Sequence, residues 1–305
     1  MGLESDEANE RDEYAIFLET WEPGEGLIHA TLPQYINDGF NQARLFRDSS
    51  GDAPIDRASY VKGAKVMCAD ELIIRGFEFF QQNQTEWSAR FREEVLEKGV
   101  PLEKLEKFLK AFAESWVDGF ARRQNSDDML AIKASIRDFD RLCHGSNAGK
   151  YVKNSIHDSV QALFTPTEMC AIFEVNYRFI SVYFPDYLDH LGHYGPVDDV
   201  YVRRGVFMST NETYRKELHY LSSYSIGLGH VEQFAQTWSS TSRDYGKPTI
   251  FSAPIVAVQD RIVAFAPFIE NMDISQLELV VAPPVSRMNL DDAGVHGGIH
   301  ELSFE

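Results

Sequence analysis

The sequence predicts an α+β protein in which a mostly helical N-terminal region precedes a strand-rich C-terminal region. Before about residue 195, apolar residues recur three or four positions apart, which is the spacing of one face of an α-helix. After Pro196, the chain changes to short runs rich in Val, Ile, Phe and Tyr, which are typical of strands. Because the helices come first and the strands follow, this order favours α+β over a doubly wound sheet.

Four helices are expected in the N-terminal region. Aromatic residues at helical spacing predict the first over residues 70–98, and one apolar stripe predicts the second over residues 102–122. The third begins after residue 126 and ends near Gly145, since glycine is common just after a helix C-terminus. Pro166 opens the fourth, because proline is well tolerated in a first turn.

Six strands are expected in the C-terminal region. They cover residues 200–207, 219–224, 249–258, 261–265, 277–282 and 299–304. A helical pattern at about residues 228–238 interrupts them, and Gln259-Asp260 between two apolar runs indicates a tight hairpin.

The chain is therefore divided into three parts. Residues 1–12 form an acidic tail that is expected to be disordered. Residues 13–195 form the helical region, for which the sequence indicates no role. Residues 196–305 form the strand region, where the residues of chemical interest lie.

The net charge of the chain is −18, since 29 basic residues stand against 47 acidic ones. Phosphate backbones and anionic membranes repel such a protein, which disfavours both as partners, although one basic cleft would be enough for an RNA substrate. No stretch approaches the roughly 18 apolar residues of a membrane span, and the N-terminus lacks the basic start and apolar core of a secretory signal. The expected location is therefore the cytoplasm.

Several familiar signatures of metal and cofactor sites are missing. The sequence contains no GxxxxGK[ST], no HExxH, no GxSxG and no GxGxxG after a strand. The three cysteines are widely spaced, which suggests neither a disulfide framework nor a zinc site. His190 and His193 are three residues apart, but without a partner at ligand spacing they are expected to be ordinary loop histidines.

Three segments of the strand region carry polar residues in apolar surroundings. In the first, Arg203 and Arg204 lie within an apolar strand, where each needs an anionic partner such as a phosphate or a carboxylate. In the second, residues 223–225 end a strand before a helix, and such serines cap the helix or hold a neighbouring carboxylate. In the third, Glu278 lies in an apolar strand with Gln276 on the same face, unless this is an edge strand whose polar face meets water.

Taken in this order, the segments resemble the mono-ADP-ribosyltransferases of the arginine, Ser-x-Ser, Gln/Glu-x-Glu class. The matching residues are Arg204-Gly205, Ser223-Tyr224-Ser225 with Phe234 on the following helix, the run 262–268, and Gln276-Leu277-Glu278 with the apolar residues and prolines up to 284. Tyr224 replaces the family's central threonine. A literal Ser240-Thr241-Ser242 downstream is an alternative serine motif, and Arg203 is an alternative to Arg204, since the two point to opposite faces of the strand.

The resemblance implies a mixed β-sheet NAD-binding core over residues 196–305. NAD would be the substrate, and no metal is implied. In this family the reaction breaks the bond between nicotinamide and ribose, and positive charge develops on the sugar. By resemblance, Glu278 would hold the ribose 2′-hydroxyl beside that charge, and Ser223 would position Glu278. Gln276 would meet the acceptor. Arg204 would clamp the phosphates, and the nicotinamide would contact the backbone of Gly205. Tyr224 and Ser225 would shape the nicotinamide pocket, and Phe234 on the following helix would be a further NAD-binding residue.

The resemblance also implies a macromolecular acceptor, for which the charge favours a protein over a nucleic acid. The expected setting is a bacterial or phage toxin or effector that acts in its own or a host cytoplasm, with an antitoxin or an activator as a further partner. Two alternatives remain open at the level of sequence. One is an NAD glycohydrolase that uses water as the acceptor, and the other is a non-catalytic binding module on the same fold.

Overall fold

The structure is a computed structural model, and it describes residues 69–116, 126–145, 159–190, 197, 200–209, 221–226, 231, 234–235, 246–285, 290–296 and 299–304. An N-terminal helical region precedes a C-terminal mixed sheet, so the α+β prediction is confirmed. The predicted acidic tail and the Ser240-Thr241-Ser242 alternative lie outside the described residues.

The helical region contains four described α-helices. They are α1 (Ala69–Glu97), α2 (Leu102–Lys110), α3 (Asp127–His144) and α4 (Pro166–His190). Ser126 caps α3 by accepting a hydrogen bond from the backbone N–H of Met129, and Gly145 follows its last residue with a positive φ of 95°. The starts of α3 and α4 and the extent of α1 are therefore close to those that the sequence predicts.

The predicted helix over residues 102–122 has a different form in the structure. After α2 the chain continues as a π-helix (Ala111–Ser115), and the backbone N–H of Trp116 donates to the carbonyl of Ala111 at 3.1 Å. Residues 117–125 lie outside the described part of the chain. A π-turn rotates the residues that follow it relative to a regular helix and is often found at functional sites. The apolar spacing did not indicate this turn.

The strand region forms one seven-stranded sheet. The strands are β1 (Tyr201–Ser209), β2 (Ser222–Ser225), β3 (Gly246–Pro254), β4 (Ile262–Phe265), β5 (Glu278–Val281), β6 (Asp291–His296) and β7 (Ile299–Ser303). Their order across the sheet is β4-β5-β2-β1-β3-β7-β6. The β3–β7 pair is parallel and the other neighbours are antiparallel, so the sheet is mixed.

The sheet differs from the prediction in one connection and in one additional strand. The expected hairpin at Gln259-Asp260 does not form, because β3 pairs with β1 and β7 whereas β4 pairs with β5. The side-chain amide of Gln259 instead donates to the carbonyl of Tyr177 and to the Ser181 hydroxyl, which attaches this connection to α4. Strand β6 was not expected either, since its sequence lacks the apolar alternation of a strand.

The described helices and strands share one hydrophobic core. The ring of Phe265 in β4 lies 5.4 Å from that of Phe80 in α1 and 5.7 Å from that of Phe184 in α4. The buried Asn176 of α4 donates to the carbonyl of Val263 at 2.9 Å. The change of sequence character near residue 195 is therefore not a break between two cores.

A buried ion pair also joins the helical region to the sheet. Both guanidinium Nη atoms of Arg261 donate to the carboxylate of Asp140 in α3, each at 2.9 Å. The same guanidinium donates to the carbonyl of Pro283, which follows β5. Such a pair is stable only while both charges are present, because each lies away from water.

Gly205 in β1 allows a helical segment to approach the sheet closely. A Cβ atom at this position would lie 1.9 Å from the carbonyl oxygen of Val231 and 2.9 Å from the backbone nitrogen of Ala235. Both atoms belong to the backbone of that helical segment, so neither can rotate away. A glycine is required here because of this close approach and not because of its φ angle.

We expect Gly205→Ala to lower the free energy of unfolding by about 3 kcal/mol or more, at or beyond the upper end of ordinary overpacking, since the clash is with backbone. Urea unfolding followed by circular dichroism would measure the change. Gly76→Ala is the matched control, because its Cβ would meet only the ring end of Tyr187, at 3.4 Å, and a helical alanine is favoured by up to about 1 kcal/mol. Equal effects of the two substitutions would contradict the close approach at Gly205.

Among the described residues, no helix is both long enough and apolar enough to cross a membrane.

Candidate active site

Glu278 is the first residue of β5 and lies half-buried where this strand pairs with β2. In the antiparallel register, Ser225 is opposite Glu278 and Ser223 is opposite Val280. Residues opposite each other in an antiparallel pair project from the same face of the sheet. Ser223, Ser225 and Glu278 therefore share one face, and the structure brings together the serine and glutamate segments that the sequence singles out.

Two side chains donate hydrogen bonds that hold the Glu278 carboxylate. The indole Nε1 of Trp116 donates to Oε1 of Glu278 at 2.7 Å, and the Ser223 hydroxyl also bonds to this carboxyl group. The same indole N–H lies 3.0 Å from the Ser223 oxygen. The three side chains form a closed cluster in which one residue comes from the helical region and two come from the sheet.

The pKa of Glu278 is raised above its usual range. Burial is the main cause, because it disfavours the charged form, and the negative charge of Asp273 acts in the same direction. The hydrogen bonds from Ser223 and Trp116 oppose this shift by stabilising the carboxylate, but they do not cancel it. Perturbed carboxyl groups of this kind are concentrated at functional sites.

Arg203 shares the face of the sheet on which Glu278 lies. It is opposite Ser225, which is in turn opposite Glu278, so the three residues form one row across β1, β2 and β5. The Arg203 side chain is 2% exposed, and its Nε lies 3.6 Å from the Glu301 carboxylate. Its guanidinium also lies 5.4 Å from the centre of the Tyr201 ring.

Arg204 lies on the opposite face of the sheet, although the sequence favoured it as the phosphate clamp. Its guanidinium donates to the Ser222 hydroxyl at 2.7 Å, and Ser222 is one residue out of phase with Ser223. The Gly after Arg204 suggested the assignment, but the register of β1 against β2 determines which arginine faces Glu278. The structure therefore does not bring Arg204 to the cluster.

Tyr224 also lies on the face away from Glu278, contrary to its expected place in a nicotinamide pocket. It is opposite Leu279, and its ring makes an edge contact with the ring of Phe304 at 6.3 Å. Burial raises the pKa of Tyr224 to about 12, while the nearby Arg204 acts to lower it. This tyrosine is part of the core in the structure.

Gln276 is not on the strand face that its spacing from Glu278 predicts. Strand β5 begins only at Glu278, and Leu277 before it has a positive φ of 45°, which breaks the alternation of faces. The Ser225 hydroxyl donates to the carbonyl of Gln276 and so ties this turn to β2. A buried leucine in a left-handed conformation is strained by about 1–3 kcal/mol, and strain of this kind is concentrated at functional sites.

Of the helix predicted after β2, the structure describes Val231, Phe234 and Ala235. Val231 and Ala235 are helical as expected, and they pack with Ile250 and Ile299 on the sheet. This packing covers Gly205, whose backbone was expected to contact nicotinamide. Phe234 was expected on the same inner face, but its side chain is 43% exposed.

Trp116 carries no sequence signal of a site residue. It lies on the apolar stripe of the second predicted helix, which continues to Phe120, and was interpreted as a core position. The side chain is indeed buried, and the ammonium of Lys133 in α3 lies 5.8 Å from the centre of its ring. No sequence pattern links residues 116 and 278, because their contact depends on packing between the helices and the sheet.

The histidines and cysteines of the described part of the chain do not assemble into a metal site. His300 contacts Asp292 at 3.0 Å, and within the described ranges no three His, Cys, Asp or Glu side chains are arranged to hold a metal ion. Cys143 and Cys170 are free thiols.

Comparison of the chain with known protein families, curated proteins and solved structures finds no match. The geometry of the site is therefore the basis for a functional assignment.

Proposed function

We propose that the protein is a mono-ADP-ribosyltransferase that releases nicotinamide from NAD and transfers ADP-ribose to a macromolecule, with Glu278 as the catalytic carboxylate. One observation carries the proposal. Three segments that are distant in sequence and resemble the transferase motifs lie on adjacent strands, with Arg203, Ser225 and Glu278 in one row. A chance resemblance in three separate segments would not require them to meet in this way.

The chemistry suits a buried carboxylate. Cleavage breaks the bond between the ribose C1′ and the nicotinamide nitrogen, and the bonding electrons leave with nicotinamide. Positive charge then develops on the ribose ring, where the carboxylate of Glu278 would stabilise it in surroundings of low polarity. The acceptor forms the new bond to C1′ and releases a proton. Ser223 and Trp116 would hold the carboxylate in place throughout.

The raised pKa of Glu278 has a consequence for the reaction. Only the ionised form of Glu278 can stabilise the developing cation, so the carboxyl must lose its proton before cleavage. Burial of the site favours the protonated form. The rate of cleavage is therefore expected to rise with pH through the pKa of Glu278. The positive charge that develops in the transition state favours the ionised form further.

Arg203, which lies in one row with Ser225 and Glu278, is proposed to bind the phosphates in place of Arg204. A guanidinium binds phosphate through paired hydrogen bonds, which suits the pyrophosphate of NAD. Because Arg203 lies beside Glu301 in the structure, the pyrophosphate would compete with that carboxylate for the guanidinium.

We expect Arg203→Lys to raise the KM for NAD on the order of ten-fold, because lysine keeps the charge but loses the paired geometry. Arg204→Lys is the matched control on the adjacent position, and its effect should be several-fold smaller, since it lies on the other face of the sheet. Steady-state kinetics of nicotinamide release would compare the two. A larger effect at Arg204 would contradict the register of β1.

The acceptor is proposed to be a protein, because the charge of −18 disfavours a nucleic acid. Gln276 lies in the turn before β5 and is proposed to meet the acceptor there. The proposed setting is a toxin or effector that acts in a cytoplasm, with an antitoxin or an activator as a further partner.

Labelling with biotinylated NAD in a cell lysate tests the proposal. Wild type and Glu278→Ala are compared, each with nuclease and with protease treatment. We expect label that depends on Glu278 and disappears with protease. Label that disappears with nuclease would identify a nucleic-acid acceptor. Free nicotinamide without label would identify an NAD glycohydrolase, and the absence of both products would contradict the enzymatic assignment.

A further inference from the structure

We infer that Trp116 is a positioning residue for Glu278. The N-terminal helical region would then supply a hydrogen-bond donor to a site whose other residues lie in the sheet. The structural part of this inference stands on the contact between the two side chains. Its catalytic consequence rests on the proposed function.

The contact itself is specific. An indole has one N–H, and here it points at the Glu278 carboxylate at 2.7 Å and at the Ser223 hydroxyl at 3.0 Å. At such a distance, a hydrogen bond to an ionised acceptor is of the strong, charge-assisted kind. One donor thus fixes the relative positions of two residues on neighbouring strands, which limits the carboxylate to one orientation.

Trp116 is itself held firmly, which a positioning residue requires. Its side chain is only 3% exposed, and its ring lies 5.8 Å from that of Phe112. The ammonium of Lys133 lies at the same distance over the indole, and the backbone N–H closes the π-turn onto Ala111. Glu278 is more exposed than Trp116, so the tryptophan lies deeper in the core than the carboxylate that it holds.

The charged groups around Glu278 act differently from its two neutral hydrogen-bond donors, Trp116 and Ser223. Asp273, from the turn before β5, opposes ionisation of Glu278. Lys133, from α3, faces the indole ring, and Arg203, from β1, is paired with Glu301. Trp116 and Ser223 therefore supply the hydrogen bonds that favour the carboxylate over the neutral acid.

The first test uses Trp116→Phe in the full-length chain, since phenylalanine keeps an aromatic ring and removes the N–H. We expect kcat to fall on the order of ten-fold with little change in the KM for NAD, because a hydrogen bond to a charged group is lost. The acid limb of the kcat/KM profile should move to higher pH. Trp87→Phe is the matched control, since Trp87 stacks on Tyr183 in the core, in a contact that does not involve Glu278. It should leave the acid limb in place.

A second test needs neither NAD nor catalysis. The Glu278 carboxyl is titrated by carbon-13 NMR of glutamate-labelled protein, and its signal is assigned as the one that Glu278→Gln removes. We expect its pKa to be higher in Trp116→Phe than in wild type and unchanged in Trp87→Phe. In the wild type, the indole N–H signal of Trp116 should shift with pH together with Glu278, which gives a result even where Trp116→Phe fails to fold.

The outcomes separate the two claims. A shifted titration without NAD cleavage by any variant would uphold the contact and contradict the proposed function. NAD cleavage with an unchanged titration, an unchanged acid limb and an indole signal that ignores pH would uphold the function and overturn the inference about Trp116.

Discussion

Replacing Glu278 with glutamine is expected to abolish NAD cleavage and at the same time to stabilise the fold at neutral pH. The loss of activity should be on the order of 10²–10³-fold or greater, because glutamine keeps the size of the side chain but cannot balance the charge of the ribosyl cation. Nicotinamide release, measured with wild type in parallel, would detect the loss. If the variant retained most of the activity, Glu278 would not be the catalytic carboxylate.

The gain in stability follows from the raised pKa of Glu278. The folded state binds the proton of this carboxyl more tightly than the unfolded state does, so ionisation costs folding free energy. That cost is absent below the unfolded pKa of about 4.3, grows as the pH rises to the folded pKa, and is constant above it. Glutamine carries no such cost, although it loses the charge-assisted bonds from Trp116 and Ser223.

The stability advantage of Glu278→Gln should therefore increase with pH over this interval, as measured by urea unfolding at several pH values. Glu270→Gln is the matched control, because Glu270 is exposed and lies 4.0 Å from Arg92. That surface substitution should change stability by less than about 0.5 kcal/mol. If the stability gain of Glu278→Gln over wild type became smaller as the pH rises, the pKa of Glu278 would be lowered in the folded state and not raised.

Asp140→Ala is expected to lower the free energy of unfolding by about 3–5 kcal/mol, because it leaves the Arg261 guanidinium buried without its counter-charge. Arg261 also holds the carbonyl of Pro283, so its disturbance would affect the chain just after β5. Urea or thermal unfolding would measure the loss.

Glu103→Ala is the matched control for this substitution. Glu103 lies in α2 and contacts Lys107 at 2.9 Å, and both side chains are exposed, so its loss should cost less than about 1 kcal/mol. The double variant Asp140→Leu, Arg261→Met should be less destabilised than Asp140→Ala alone, since no buried charge is left unpaired. Similar costs for Glu103→Ala and Asp140→Ala would show that the Arg261 pair contributes little.

Local signals in the sequence located most of the helices and strands. Ser126 and Gly145 mark the ends of α3, and Pro166 opens α4, because caps and fixed φ angles act on their immediate neighbours. Strand β5 was found through its apolar run. Strand β6 was missed, since it carries no such run and exists because it pairs with β7.

The candidate site was predictable only in part for the same reason. Ser223 and Glu278 were singled out as polar residues in apolar segments, and the structure brings them together. The choice between Arg203 and Arg204 depends on the register of β1 against β2, which alternation within one strand does not determine. The position of Gln276 changed because Leu277 adopts a left-handed conformation.

By itself, the sequence determined the α+β class, the order of helices before strands, and the two polar residues of the sheet around which the site is built. These features follow from periodicity, capping and the cost of polar groups in apolar segments, all of which act over a few residues. That Arg203 shares a sheet face with Glu278, and that Trp116 binds Glu278, is known from the tertiary structure alone. Those contacts join residues far apart in the chain, and packing between the helices and the sheet determines them.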